Sequence, residues 1–302
     1  MTTPNARLLR LATYASVATA VILIVAKLIA WLSTGSVSIM ATLIDSLMDA
    51  GASLVNLLAV RYSLMPADDE HRFGHGKAEA LAGLGQAAFI TGSAVFLLLE
   101  AGDRLLNPQP IEHIGTGMAV MVFAMAATFI LLTIQRRVVK KTGSTAIRAD
   151  ALHYATDLAT NGATLIALFL ASKGFSGLDP VFAIGIAAYI LYSAVHIALE
   201  AIHLLMDHEL PREERDTIKN LALSIPGVQG VHGLRTWQNG QRKVIQMHLE
   251  LDGSLSLREA HRIAVDVEKR LRKDAPLMDV NIHQDPSDMG KEGRHSLADE
   301  LP

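Results

Sequence analysis

The sequence predicts an α-helical membrane protein of six transmembrane helices followed by a small α+β module on the cytoplasmic side. Three observations carry that fold class. Of the 302 residues, 50% are hydrophobic and only 19% charged, with a mean hydropathy of +0.30, too apolar for an ordinary soluble domain. Residues 80–99 and 114–134 contain no Asp, Glu, Lys or Arg, and each stretch matches the roughly 20 residues that cross a bilayer core as a helix. After His208 the long charge-free stretches stop, and short segments punctuated by turn signals take over.

The first span is residues 17–32, interrupted only by Lys27. Arg7 and Arg10 before it, and Ser33, Thr34 and Gly35 after it, leave a cleaved signal peptide as the alternative. The second span, 38–64, carries Asp45 and Asp49 inside apolar sequence. The two charge-free stretches are the third and fourth. The fifth, 147–172, again carries acids, Asp150 and Asp157, and the sixth is 181–199. Lys and Arg in the connecting segments set the orientation. Arg7, Arg10, Arg61, Arg72, Lys77, Arg136, Arg137, Lys140, Lys141 and Arg148 fall on one side, against Arg104 and Lys173 on the other. Both termini are therefore expected in the cytoplasm.

In the soluble part, Pro211 opens a helix over 213–223, which Pro226-Gly227 ends. Strands 231–238 and 242–251 flank Asn239-Gly240, a strong hairpin signal. Ser256-Leu257-Arg258-Glu259 is a capping box for a helix reaching about residue 273, and 279–284 is the last strand. The order αββαβ predicts a sandwich with helices over one sheet face. The expected division is residues 1–207 for the membrane part, 208–286 for the cytoplasmic part and 287–302 for a polar, disordered tail.

Composition removes several function classes. The absence of cysteine excludes a disulfide framework, thiolate zinc sites and a thiol nucleophile. A net charge of -3 and 5% aromatic residues give no footprint for nucleic acid. No phosphate-binding G-x-x-x-x-G-K-[ST] loop is present for nucleotide, and Lys140 stands where the Lys141-Thr142-Gly143-Ser144 segment would need an aspartyl nucleophile. The H-E-x-x-H helix of an intramembrane metalloprotease is missing too. An enzyme is not expected.

Four side chains inside the membrane part carry the functional argument: Asp45 and Asp49 on the second span, His153 and Asp157 on the fifth. Each pair is spaced i, i+4, one turn apart on one helix face. If those faces meet, three carboxylates and an imidazole form a tetrahedral set for Zn²⁺, with oxygen-rich character that also suits Fe²⁺, Mn²⁺ or Cd²⁺. An ionisable group at mid-membrane costs at least about 2.5 kcal/mol, so a cation or protons must neutralise the acids. The alternative is a static salt-bridge cluster with Lys27 or Arg148. An imidazole ordinarily titrates near about pH 6.5. Protons and metal therefore compete for the same lone pairs, with His153, Asp157 and Asp49 as the proton-coupling groups.

Two further clusters have metal-ligand character. Asp68, His71 and His75 lie in the loop after the second span, where an ordinary hydrated acidic loop pairing with Arg72 and Lys77 is the alternative. In the soluble part, His232, His248, His261, His283 and Asp285 lie on or beside three strands and one helix. His283 and Asp285 share a sheet face, and Asp285 could bridge two metals. His196 and His203 on the sixth span read as helix-surface residues.

With Asp45-x-x-x-Asp49, His153-x-x-x-Asp157, six spans and a cytoplasmic αββαβ domain, the chain resembles the cation diffusion facilitator family, and within it the bacterial ferrous-iron and zinc efflux branch. The resemblance covers nearly all residues before the tail. It implies a ferredoxin-like, metallochaperone-like soluble domain and a homodimer in the bacterial inner membrane. It also implies one transport site per protomer, formed by Asp45, Asp49, His153 and Asp157. That site exchanges a cytoplasmic divalent metal for protons by alternating access. The resemblance also supports the loop site at Asp68, His71 and His75, and implies that the two-metal site at the five cytoplasmic positions is structural or regulatory. From the resemblance alone come a charge contact between Lys77 and Asp207 and an apolar gate at Leu152. The competing reading is a membrane-anchored metal-sensing protein without transport, against which buried acids at mid-membrane argue.

Overall fold

The computed structural model describes residues 4–35, 37–106, 115–172, 179–274 and 277–287. The expected tail beyond Ser287 lies outside them. Six long helices come first: α1 (Pro4–Thr34), α2 (Val37–Ser63), α3 (Lys77–Leu106), α4 (Gly115–Thr142), α5 (Thr145–Ser172) and α6 (Asp179–Leu205). Five of them, α1, α2, α3, α4 and α6, are long and apolar enough to cross a membrane. The other, α5, is 28 residues long but breaks its apolar sequence with Arg148, Asp150, His153, Asp157 and Asn161. The helix that hydropathy recognises least is thus one of the two that carry the predicted site. The first helix also starts earlier than its apolar run, at Pro4, taking Arg7 and Arg10 into its first turns. Proline suits a first helical turn, and long cationic side chains at a helix end can extend to the membrane surface.

Packing follows the rule for helices in lipid, where small residues let backbones approach and large apolar ones face the acyl chains. Ala12, Ala87, Ala94, Ala149, Ala194 and Ala201 are buried, whereas Leu11, Val21, Ile29, Phe96, Leu99 and Phe129 are exposed. α1 packs on α2 and α4, α5 on α3 and α4, and α2 meets α5 over a short stretch only. The start of α5 is fixed locally. Gly143 takes φ +66°, and Ser144 Oγ accepts from the Ile147 backbone N–H at 3.2 Å, an N-cap that sets the helix phase and so the direction of His153.

The remaining elements form a second compact unit, which begins at His203: α7 (Arg212–Leu223), β1 (Gly230–Asn239), β2 (Arg242–Leu251), α8 (Leu257–Asp274) and β3 (Met278–Pro286). The sheet order is β1-β2-β3, with β1 and β2 antiparallel and β2 and β3 parallel across α8. The β1–β2 turn has Gly240 at φ +60°, the left-handed conformation that Asn-Gly turns need. Ile218 and Ala222 of α7 and Ala264, Val267 and Leu271 of α8 close over Val231, Ile245, Met247, Leu249 and Leu251 of the sheet.

The capping box at α8 forms as expected. Glu259 Oε2 accepts from the Ser256 backbone N–H at 2.9 Å and from its hydroxyl at 2.5 Å. These donors hold the Glu259 carboxyl below its ordinary range. Its contribution to stability is therefore complete above the ordinary carboxylate range and is lost as pH falls through the lowered value. Ser256→Ala is expected to lower the thermal midpoint of this unit by on the order of 5 °C, read by circular dichroism.

Candidate functional site

Within the membrane part, Asp49, His153 and Asp157 each present a ligand atom, and these atoms all lie within 4.8 Å of one another. His153 Nε2 is 2.9 Å from Asp49 Oδ1, bridging α2 and α5. Both side chains are mostly buried, 10% and 13% exposed, so the pair sits where a charge must find a partner. The fourth predicted ligand is not in this cluster. Asp45 is exposed, although close enough to Asp49, Lys27 and His153 to interact with them electrostatically. Because α2 and α5 touch only briefly, the turn below Asp49 is not carried against α5.

Of the two cations that could make a static ion-pair cluster, Lys27 stays within electrostatic reach of Asp45, Asp49 and Asp157 but hydrogen-bonds to neutral groups, and Arg148 pairs away from the cluster. Lys27 Nζ donates to Ser46 Oγ at 2.7 Å and to the Thr42 carbonyl at 2.9 Å, and Arg148 pairs with Glu200 of α6. Leu152, the predicted gate, packs against Ile90 and Ala94 of α3 and Ile190 and Ala194 of α6.

One acid beside this cluster has a role that spacing did not reveal. Asp150 is fully buried. Its Oδ1 accepts from Gln86 Nε2 of α3 at 3.2 Å and its Oδ2 from Gln135 Nε2 of α4 at 2.6 Å. Tyr154 shares a hydrogen bond of 2.9 Å with Ser53 of α2, which in turn accepts from Ser16 of α1 at 2.9 Å. Polar side chains on α5 thus tie it to four other helices within one turn of His153. The signal available in sequence was the pair of lone glutamines in otherwise apolar spans.

In the loop, Asp68, His71 and His75 also come together within 4.8 Å. Asp68 Oδ1 accepts from the backbone N–H of His71 at 2.7 Å and of Glu70 at 3.0 Å. These hydrogen bonds, His71 first, hold its carboxyl below the ordinary range, so it is an anionic ligand well into mildly acidic conditions. His75 Nδ1 lies 3.2 Å from the Pro66 carbonyl, which can only accept. That contact places the ring proton on Nδ1 and leaves Nε2, 3.3 Å from Asp68 Oδ2, as the ligating nitrogen.

The cytoplasmic cluster is built by strand register. His232 of β1 lies opposite His248 of β2, and His248 opposite His283 of β3, a row of imidazoles across the sheet. Asp285, two residues beyond His283 on the same face, faces all three: His232 Nε2 at 3.1 Å, His248 Nδ1 at 2.9 Å and His283 Nε2 at 3.1 Å. The first two approach Oδ2 and the third Oδ1, the arrangement of a carboxylate that bridges two cations. Although 3.1 Å from Asp285 Oδ2, the buried His232 Nε2 is not aligned for a hydrogen bond, so its lone pair could serve a metal. A bulge between His232 and Arg235 puts Gly233 at φ +57°, where a Cβ would stand 3.0 Å from the His248 ring, so a larger residue would push that ring aside.

Two details differ from expectation. Glu250, two residues after His248, joins the group 3.7 Å from His232. His261 does not, being exposed on α8. The apolar stripe of α8, Ala264, Val267 and Leu271, faces the sheet, and His261 falls about a quarter turn from it. His196 and His203 are exposed on α6 as expected.

A family model described as the cation efflux transmembrane domain matches residues 13–206. The chain belongs to the cation efflux family. A second model, for the cytoplasmic domain of cation efflux proteins, matches residues 210–287. The chain is 52% identical over 281 residues to the cation-efflux pump FieF of Pectobacterium atrosepticum, spanning 93% of this chain and 94% of that one. To the FieF pump of Escherichia coli strain K12 it is 50% identical over 292 residues, 96% and 97% of the two chains. Among solved structures, the metal-bound C-terminal domain of the CzcD transporter from Thermotoga maritima is similar over 27% of this chain and all of its own length, with 29% identity and a TM-score of 0.25. Like other cation efflux family members, the protein is a multi-pass membrane protein, and the expectation that it is not an enzyme agrees with a transporter family.

Proposed function

We propose that this protein exports a divalent metal ion, Zn²⁺ or Fe²⁺ first and Cd²⁺ or Mn²⁺ alternatively, in exchange for protons. The carrying observation is the cluster of Asp49, His153 and Asp157 on two helices of the membrane part. A neutral imidazole and two carboxylates neutralise a doubly charged ion, and the same lone pairs accept protons once the ion leaves. Asp45, one turn from Asp49 on the same helix, completes a tetrahedral set by turning its carboxylate toward the other three. Alternating access then needs no nucleotide: metal enters from the cytoplasm and displaces protons, and protons from the far side displace metal.

The similarity to efflux pumps over nearly the whole chain supports this reading over a metal sensor that is only anchored in the membrane. We assign residues 1–207 to transport and 208–286 to a cytoplasmic dimerisation domain, with both termini in the cytoplasm, the bacterial inner membrane as the location and a homodimer as the assembly. Lys77, which opens α3, and Asp207, which takes φ +55° after α6, are the proposed opposite-charge contact between the two parts, and Leu152 is the proposed gate. The loop set of Asp68, His71 and His75 binds an exchangeable ion, with water completing its shell. The test is purified protein in proteoliposomes loaded with a metal-sensitive dye, challenged with Zn²⁺, Fe²⁺, Mn²⁺ and Cd²⁺ under an imposed pH difference. Uptake that ignores the pH difference would defeat proton exchange, and the absence of uptake for all four ions would defeat transport.

In the cytoplasmic domain, His232, His248, His283 and Asp285, with Glu250 beside them, fit a pair of resident metal ions that would stiffen the sheet edge to edge. Asp285→Ala removes the oxygens that face all three imidazoles. Equilibrium dialysis of the full-length protein should show fewer bound Zn²⁺ ions, with the maximal transport rate reduced by less than about tenfold. Unchanged metal content would remove Asp285 from the site.

A further inference from the structure

A groove of about 790 Å³ lies between α4, α5 and α6 of the membrane part. Its chemistry changes along its length. At the end near the α4–α5 turn it is lined by Arg136, Lys140 and Arg148, and farther from that turn by apolar side chains that include Leu132, Ala155 and Leu158. No Asp or Glu is among its described lining residues. Arg136 and Lys140 are exposed and one turn apart on α4, so both point to one side of that helix. Arg148 is compensated by Glu200, which leaves the α4 pair as the free positive charge of the groove mouth. The positive charge at this mouth favours an anion over a metal cation.

We propose that the groove is a binding site for one anionic membrane phospholipid, its headgroup phosphate held by Arg136 and Lys140 and an acyl chain laid along Leu132, Ala155 and Leu158. The polarity of the groove matches that of the ligand end to end. A basic pocket between transmembrane helices is the geometry that selects anionic headgroups, and each nearby Lys or Arg contributes on the order of 1 kcal/mol to such binding. Ala151, Ala155 and Leu158 occupy the face of α5 opposite His153 and Asp157, as their helical spacing requires. A lipid seated there supports the back of the helix that carries the metal ligands.

The test uses the full-length protein in neutral detergent, incubated with phosphatidylglycerol or phosphatidylcholine, with retained lipid counted by native mass spectrometry. One phosphatidylglycerol per chain should be retained in preference to phosphatidylcholine, and Arg136→Gln with Lys140→Gln should weaken that retention about tenfold or more. Ala159→Trp, which adds bulk to the groove lining without touching its charges, should lower retention of both lipids while the protein stays folded by circular dichroism. Equal retention of the two lipids, or a headgroup preference that survives the double substitution, would overturn the proposal. Because binding is read directly, its failure leaves the transport reading untouched, and failure of transport leaves the lipid site untouched.

Discussion

Asp157→Ala is expected to reduce metal uptake into proteoliposomes by at least about 100-fold, since even partners outside a metal's ligand shell are worth 10–100-fold. Asp157 shares its cluster with Asp49 and His153, so the substitution removes one of the three assembled donors and half of the carboxylate charge. An ion left with Asp49 and His153 would carry uncompensated positive charge inside the bilayer, where a single charge costs several kcal/mol. Asp49→Ala should behave in the same way and also release the 2.9 Å contact with His153 that joins α2 to α5. Gel filtration and circular dichroism should be unchanged for Asp157→Ala. Full transport in a folded Asp157→Ala protein would remove this residue from the site. The contrast with Asp45→Ala is informative, because Asp45 stands outside the cluster. A loss as large as that of Asp157→Ala would show that its carboxylate joins the ion during the cycle, and a much smaller loss would leave three protein ligands.

Asp150→Ala is expected to have the largest effect on stability, lowering the thermal unfolding midpoint in detergent by on the order of 10 °C. The carboxylate is fully buried and accepts from Gln86 and Gln135 on two other helices. Its removal strands both amide donors in a bundle shielded from water, at about 1–3 kcal/mol for each unmet group, and breaking one side of a buried network has cost about 3–5 kcal/mol elsewhere. Asp150→Asn should recover most of the loss. Gln135 Oε1 has no partner in the native arrangement, so rotating its amide presents an acceptor to the new amide group. A midpoint unchanged in Asp150→Ala would show that the network contributes nothing to holding α5.

The difference between these two acids shows how far the sequence could be followed. Asp157 was recognisable because His153 precedes it by one helical turn and Asp45 and Asp49 repeat the pattern. Asp150 has no such spacing partner, and its meaning came only when Gln86 and Gln135 arrived from α3 and α4. The cytoplasmic module was legible nearly element by element, since a capping box, an Asn-Gly turn and proline are local signals. Its metal cluster was legible in part. His283 and Asp285 declared a shared strand face, and His232 and His248 were singled out, but Glu250 was overlooked although it stands two residues from His248. His261 stands apart from the others within the single chain, because the apolar stripe of α8 sets which of its sides faces the sheet.

Periodicity settles the class of protein, the number of long helices and the residues that share one face, because those properties depend on backbone geometry within a few residues. Which faces meet is decided by contacts between distant segments. His153 and Asp49 are 104 residues apart, and no local rule sets the angle at which α2 passes α5. That crossing admits Asp49 and leaves Asp45 at the edge. In the same way, strand register rather than composition aligns three imidazoles on one carboxylate, because a slip of one residue would turn each side chain to the opposite face of the sheet.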